Sequence, residues 1–479
     1  MATQAILQTA ALNRFGLGAM PGERERVRDA RDWLNAQLRP APQPELFKGL
    51  PGSLALLRRQ TAYRLARRAE RNDGKGMDGK DSGDEAAPGE MQQALRRDAM
   101  DDIAARYRHA VTTDHPFVER LVHFWSNHFA ISIDKNSARL LAAPMEREAI
   151  RPHVLGNFRD LLLAVETHPG MLLYLDNAAS VGEDSMLVQR QARRAARRGQ
   201  AGGTPRRLGL NENLAREILE LHTLGVDGGY AQQDVVELAR AITGWGTPLP
   251  REWDRASSAF VFRPGAHEPG ARTVLGRRYA EDGEAQGRAI LRDLALHPST
   301  ARHLAFKLAR HMVADAPSPA LVERMAAAYL RSGGELVALY AAMIDDDAAW
   351  SADARKFKAP QDFLVSALRA GGITLERRPQ ALVRLLQGLG QPAFMPRSPA
   401  GFPDTADDWA SGDSLRKRVQ AAGLLADHVP DARTPQAIAL DALGTDAVSG
   451  LLGEGLRRAG SPREAIALLF SSPAFQWRV

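Results

Sequence analysis

The stretch Asn211-Glu-Asn-Leu-Ala-Arg-Glu-Ile-Leu-Glu-Leu-His-Thr-Leu-Gly225 decides how the chain is read, because it begins and ends like a helix and is dense in polar chemistry. Asn211 or Asn213 suits the N-cap, where a short amide accepts from the free N–H groups of the first turn. Gly225 suits the left-handed residue that closes a helix. A rotation of about 100° per residue puts Asn213, Arg216, Glu217 and Glu220 on one face. Leu214, Ala215, Ile218 and Leu221 take the opposite face, and His222 falls on that apolar side. Glu217 and His222 therefore diverge, whereas a helical metal pair needs ligands three or four positions apart. Glu217 and Glu220 do have that spacing. The plainer reading is a solvated face with an Arg216–Glu220 ion pair worth about 0.2–0.5 kcal/mol.

The segment that follows, Val226-Asp-Gly-Gly-Tyr230, resembles half of a calcium loop. The other ligand positions would be Thr223 and Gly225, which are not carboxylates. A turn followed by a new amphipathic helix fits better.

Outward from this block the chain reads as mostly α: a large multi-helix orthogonal bundle with one small β-hairpin and long irregular loops, in a single large helical domain over 1–479. Helical patterns cover Glu23–Leu38, Leu54–Arg71, Met91–Val111 and a segment opened by Pro116. On the last of these, Val118, Val122, Trp125 and Phe129 form an apolar face, His128 sits on its flank, and His123 and Asn127 lie on the other side. A histidine beside a core face is more often a satisfied core residue than a ligand. Met171-Leu-Leu-Tyr-Leu-Asp176-Asn177 is an apolar helix that delivers two polar residues at its end, where Asp-Asn is equally a stop signal.

Three segments break the pattern. Residues 72–90, rich in Gly, Asp and Lys, cannot offset the entropy of ordering and are expected as a disordered insertion. Residues 185–209 are expected as a basic mobile loop, able to bind phosphates but lacking interleaved aromatics for base stacking, so nucleic acid is an unlikely partner. Residues 246–280 are expected as a β-hairpin insertion, with Ser258–Arg263 and Arg272–Gly276 as strands and His267-Glu-Pro-Gly as the turn. Further on, His303, Lys307 and Arg310 align on one helix as a basic face, which either faces solvent or meets Glu217, Glu220 or an anionic substrate group. Gln391–Asp404 is a Pro-rich wrap suited to lie extended over a groove.

Composition bounds the function. The charge is +6 with no cysteine, which removes disulfides, thiolate metal sites and Cys nucleophiles. No apolar run reaches the length of a membrane span, and the first residues lack a basic and an apolar signal region, so the chain as written is expected in the cytoplasm. There is no phosphate loop, dinucleotide fingerprint, Gly-x-Ser-x-Gly elbow or His-Glu-x-x-His.

Phe124-Trp-Ser-Asn-His-Phe129, Leu173-Tyr-Leu-Asp-Asn177 and the block Asn211–Tyr230 resemble the bacterial "domain of unknown function 1800" family, and the order of Ala239–Trp245, Thr273–Gly276 and Arg302–Ala314 is similar too. The resemblance runs from Leu12 to the C-terminal helices. It implies no established reaction. It implies a periplasmic or exported location and a neighbour protein of the alkaline-phosphatase/sulfatase superfamily as a partner. The chain departs from the family pattern in lacking a signal peptide, in Ala231 where a capping Ser or Thr is expected, and in Gly401-Phe402-Pro403 where Gly-Trp-Pro is usual.

Two functions follow. The first is a metal-assisted hydrolase with a cluster of His128, Arg216, Glu217 and Glu220, in which Glu217 is the general base or a metal ligand, His128 a ligand or acid, and Arg216 an anion clamp. Asn127, Asp176, Asn177, Asn213, His222 and Lys307 are the binding candidates around it; the cofactor is unassigned, with a divalent metal as the candidate. The second is a non-catalytic helical scaffold or partner-binding protein, in which the same residues form a buried network that fixes helix register.

Overall fold

The computed structural model describes residues 4–40, 42–73, 88–198, 209–375 and 379–479. Helices dominate, and the strands form three two-stranded ribbons. No described helix is long and apolar enough to cross a membrane.

Two apolar clusters carry the fold. The larger gathers the helices Pro116–His128, Phe158–Glu166, Gln232–Ala241, Glu284–Ala295, Pro298–Met312, Pro319–Arg331 and Leu336–Asp345 around Trp125. Trp125 Nε1 donates to the Tyr340 hydroxyl at 2.7 Å, and that hydroxyl donates to Val154 O at 2.9 Å, so the centre of this core has its polar atoms satisfied. The smaller cluster packs Pro88–Thr112, Pro360–Gly371, Gly412–Ala426, Pro435–Leu443 and Pro462–Ser471. Phe394, in the Pro-rich wrap, packs against both clusters, which puts Gln391–Asp404 over the seam between them.

The central block starts as an α-helix over Asn213–Glu217 and finishes as a π-turn over Ile218–Thr223. Gly225 takes φ +87°, as the sequence predicts, but the N-cap position falls to Glu212, with no side-chain cap, rather than to Asn211 or Asn213; Asn211 Oδ1 instead accepts from Asn213 N at 2.9 Å just ahead of the helix. Leu214, Ala215, Ile218 and His222 are buried, while Leu221 is only half-buried and Leu219 takes its place in the core. The Arg216–Glu220 pair does not form. Arg216 pairs with Glu212 at 3.0 Å, and Glu220 accepts from the Tyr230 hydroxyl at 3.3 Å. The wider π-turn after Glu217 carries Glu220 out of the α spacing that the pair requires.

Elsewhere the differences have local causes. Glu23–Leu38 splits into Glu23–Arg26 and Ala30–Gln37, because Asp29 caps the second piece through Asp32 N. Ala231 is no loss as a cap, since Asp234 Oδ2 accepts from Ala231 N at 2.8 Å. The two β-like segments of 246–280 do not pair with each other. Val261–Phe262 pairs with Trp245–Gly246, and Arg272–Val274 turns back on Arg277–Tyr279 through Leu275 and Gly276, both at positive φ. A two-residue turn of that geometry matches strand twist, whereas Pro264 and Pro269 interrupt any ladder between the expected strands. His267 is buried rather than at a loop tip, its Nδ1 3.1 Å from Thr243 O. Most of the insertion expected over 72–90 falls outside the described residues, and its last positions open the helix Pro88–Thr112. Within 185–209, Met186–Arg198 is a helix, as its Ala, Arg and Gln content favours, and 199–208 lie outside the described residues.

Candidate functional site

The residues expected to form a cluster are distributed over separate tasks. His128 and His303 cap the end of the central helix: His128 Nε2 donates to His222 O at 3.2 Å, and His303 Nε2 donates to Leu221 O at 3.1 Å. A helix leaves its last carbonyls without partners, and these two imidazoles supply them. His222 itself is fully buried, with Nδ1 2.7 Å from Glu166 Oε1. Burial holds His128 well below the usual histidine range, and Lys307, His222 and His303 push the same way. Burial and Lys307 bring His303 down to about 4 against the bond to Leu221 O.

Asn177 is also structural, its Nδ2 donating to Ile242 O and Trp245 O at 3.2 Å each. Asp176 adopts a left-handed φ of 61° and pairs with Lys135 at 2.7 Å. Asn213 is exposed. Glu217 is half-buried and forms no hydrogen bond or ion pair among the described residues. Burial raises its carboxyl, and Glu220 and Glu166 add to this against His222 and Arg216. No hydrogen bond joins Glu217 to His128.

Asn127 belongs to a different place. Its side chain grips the wrap in both directions, Nδ2 donating to Phe402 O at 2.9 Å and Oδ1 accepting from Phe402 N at 2.8 Å. Beneath the wrap lies a cleft of about 70 Å³ at the seam of the two cores, lined by His123, Asn127, His311, Gln361, Asp362 and Asp404 among others. Clefts at such seams are the usual location of small-molecule sites.

His311 Nδ1 is 2.9 Å from Asp404 Oδ2, and its Nε2 is shielded from solvent with no partner. Burial lowers His311, while Asp404 opposes that shift. Burial by itself would raise Asp404, but His311, Lys356 and Arg478 bring it down to about 2. Donation from Nδ1–H to the carboxylate leaves Nε2 with a free lone pair, the arrangement of an oriented base. On the facing helix, His123 Nδ1 accepts from Gln361 Nε2 at 2.9 Å, and Gln361 Oε1 accepts from Arg106 at 2.9 Å and Tyr107 at 3.0 Å.

Cations outnumber carboxylates behind this cleft. Arg120, Lys356, Lys358, Arg418 and Arg478 surround Asp315, Asp362 and Asp404. Arg120 takes Asp362 at 3.0 Å, and Arg478 stands 3.6 Å from its other oxygen. Lys358 Nζ and Arg478 Nη1 are buried without a hydrogen-bond partner. Burial holds Lys358 well below the usual lysine range, although Asp362 opposes it. Lys307, one helical turn from both His303 and His311, has no hydrogen bond or ion pair among the described residues, and burial lowers it to about 8 against the pull of Asp404.

Sequence reasoning missed His311, Asp404, Gln361 and Asp362. A signal was present for the first: His303, Lys307 and His311 recur at a spacing of four on one helix. Asp404 directly follows Gly401-Phe402-Pro403, yet nothing local ties it to a histidine in a distant helix. Among the described residues no three His, Cys, Asp or Glu side chains converge as metal ligands.

Neither the curated proteins nor the solved structures hold a match to the chain. The family described as "Protein of unknown function (DUF1800)" matches residues 10–477, nearly the whole length, and the chain belongs to that family.

Proposed function

We propose that the cleft beneath Gln391–Asp404 is a hydrolytic active site in which His311, oriented by Asp404, is the general base. The supporting observation is the 2.9 Å Nδ1–Oδ2 contact, with Nε2 unpartnered, in a histidine that lines the cleft. His311 Nε2 takes a proton from water, the hydroxide attacks the electrophilic centre of an ester, and the imidazolium returns the proton to the leaving oxygen. The surplus of buried basic groups behind the cleft, with Arg106 on its wall, favours a substrate with an anionic group, phosphate or carboxylate. Asn127 positions the wrap over this reaction and Glu217 takes no part in it. A divalent metal is retained as a variable of the test rather than assigned to ligands.

The experiment assays 4-nitrophenyl phosphate, sulfate and acetate with chelator, then with magnesium, manganese or zinc, for the parent chain, His311→Gln and Asp404→Asn. Turnover lost at least 100-fold in both folded variants is the expected outcome. Turnover equal to the parent's in His311→Gln overturns the assignment.

A second reading is a non-catalytic scaffold. It is supported by His128, His303 and Asn177, which all spend their donors on backbone carbonyls. Under this reading His311→Gln lowers only thermal stability, and the phosphatase/sulfatase-superfamily neighbour implied by the resemblance co-purifies with the chain.

A further inference from the structure

The helix Met186–Arg198 carries Arg190, Arg193, Arg194 and Arg197 at the spacing i, i+3, i+4, i+7, and it contains no acidic residue. All four are exposed, and among the described residues none has an ion-pair or hydrogen-bond partner. Among the described residues, the first turns of this helix carry its contacts to the rest of the protein. Ser185 Oγ accepts from Val188 N, Met186 lies against the Pro264–Ala266 turn, and from Ala192 onward the described side chains face solvent. A short helix without a packed face is marginal in water, and like charges four residues apart destabilise it further, an effect the helix dipole only partly offsets.

The same spacing recurs at Arg64, Arg67, Arg68 and Arg71 on the helix Ser53–Asp73. These are exposed as well; Arg64 donates to Asn136 O and Arg67 to the Tyr63 hydroxyl, and among the described residues neither forms an ion pair, though Glu70 stands within the row and acts on Arg67. Both helices pack on one segment: Ser53–Asp73 meets the turn Pro250–Arg255 through Arg58 and Trp253 O, and Met186–Arg198 meets Pro264–Ala266. Exposed Arg251 and Arg255 stand on that segment.

We infer that the two arginine rows form a docking surface for a linear polyanion, a chain bearing phosphate or sulfate groups that is read by charge alone. Counter-charge relieves the repulsion that weakens Met186–Arg198, and the guanidinium fork matches tetrahedral oxyanions. Between Arg190 and Arg197 stand Gln191, Ala192, Ala195 and Ala196, which offer no bulky apolar face to enter a bilayer and no aromatic ring to stack on a base. This inference is independent of the cleft chemistry.

The test titrates the full chain with fluorescein-labelled long-chain polyphosphate at several salt concentrations, beside a fourfold variant with Arg190, Arg193, Arg194 and Arg197 changed to Gln. Glutamine keeps helix propensity and removes only charge. The variant is expected to bind at least tenfold more weakly, with a salt slope smaller in magnitude by about 3. Polyphosphate is expected to raise the helical circular-dichroism signal of the parent and not of the variant. Unchanged binding by the variant overturns the inference. So does binding to phosphatidylserine vesicles without binding to polyphosphate, or much tighter binding to single-stranded DNA than to polyphosphate of equal charge.

Discussion

His311 Nδ1 and Asp404 Oδ2 are 2.9 Å apart, although 93 residues separate them in the chain. The carboxylate selects the Nδ1–H tautomer and raises the basicity that burial would otherwise depress. Asp404→Asn removes that support. The acid limb of the kcat/KM profile is expected below the unperturbed histidine value of about 6.5 in the parent and lower still in Asp404→Asn, while kcat falls roughly 100-fold. A limb that does not move between the two proteins would separate Asp404 from the base.

His128 and Glu217 are expected to differ sharply in what their removal costs. His128→Phe preserves ring volume but leaves His222 O without a donor, for a loss of about 1–3 kcal/mol. Glu217→Gln removes a half-buried carboxylate without a hydrogen bond, so stability should stay within roughly 0.5 kcal/mol or rise. Urea unfolding of both variants at neutral pH measures the contrast; a large loss in Glu217→Gln would return that residue to the structural network.

Acid should weaken the fold before any depressed carboxylate titrates. His303 is near 4 in the folded chain, below the unfolded value of about 6.5, so in that window the unfolded state binds the proton and the folded state does not. Its stabilising contribution is complete above about 6.5 and declines towards pH 4, by roughly 2–3 kcal/mol for this one ring. Asp404 acts lower, between its unfolded value and about 2. His303→Asn, which retains a donor for Leu221 O, should flatten the pH dependence of the urea midpoint between 6.5 and 4. An unchanged slope would mean that the folded ring takes up its proton.

Lys307 should react before the paired, buried Lys356. Brought down to about 8 and without a hydrogen bond or ion pair among the described residues, its amine is half neutral at pH 8, where an ordinary lysine near 10.4 is almost wholly charged. Brief treatment with acetic anhydride at pH 8, read by peptide mass mapping, is expected to modify Lys307 before the paired Lys356. Preferential modification of Lys356 would contradict the placement of the two amines.

Gly401 holds the wrap close to the end of helix Pro116–His128. It takes φ +85°, and a Cβ there would overlap the backbone carbonyl of Asn127. Gly401→Ala is expected to cost about 1–3 kcal/mol and to expose the cleft. Asn127→Ala, which removes both bonds to Phe402, should do so as well. Faster hydrogen exchange at Phe402 in both variants is the readout, and unchanged protection would show that the wrap is held by other contacts.

The sequence by itself determined much of the local structure: the left-handed Gly225, the helix opened by Pro116 and the apolar side of His222. Each depends on residues within a few positions, where period and capping chemistry act directly. It also exposed the family through the block Asn211–Tyr230. Even so, a strict α period misjudged Arg216, because the π-turn at Ile218–Thr223 shifts the face beyond Glu217. Only the tertiary structure decided which polar residues meet. His128 is drawn to a carbonyl and Asn127 to the wrap, though the two are adjacent in sequence, because consecutive helical residues point about 100° apart into different neighbours. His311 and Asp404 meet because two apolar cores pack against each other and the wrap crosses their seam, a contact set by burial and not written in any local pattern.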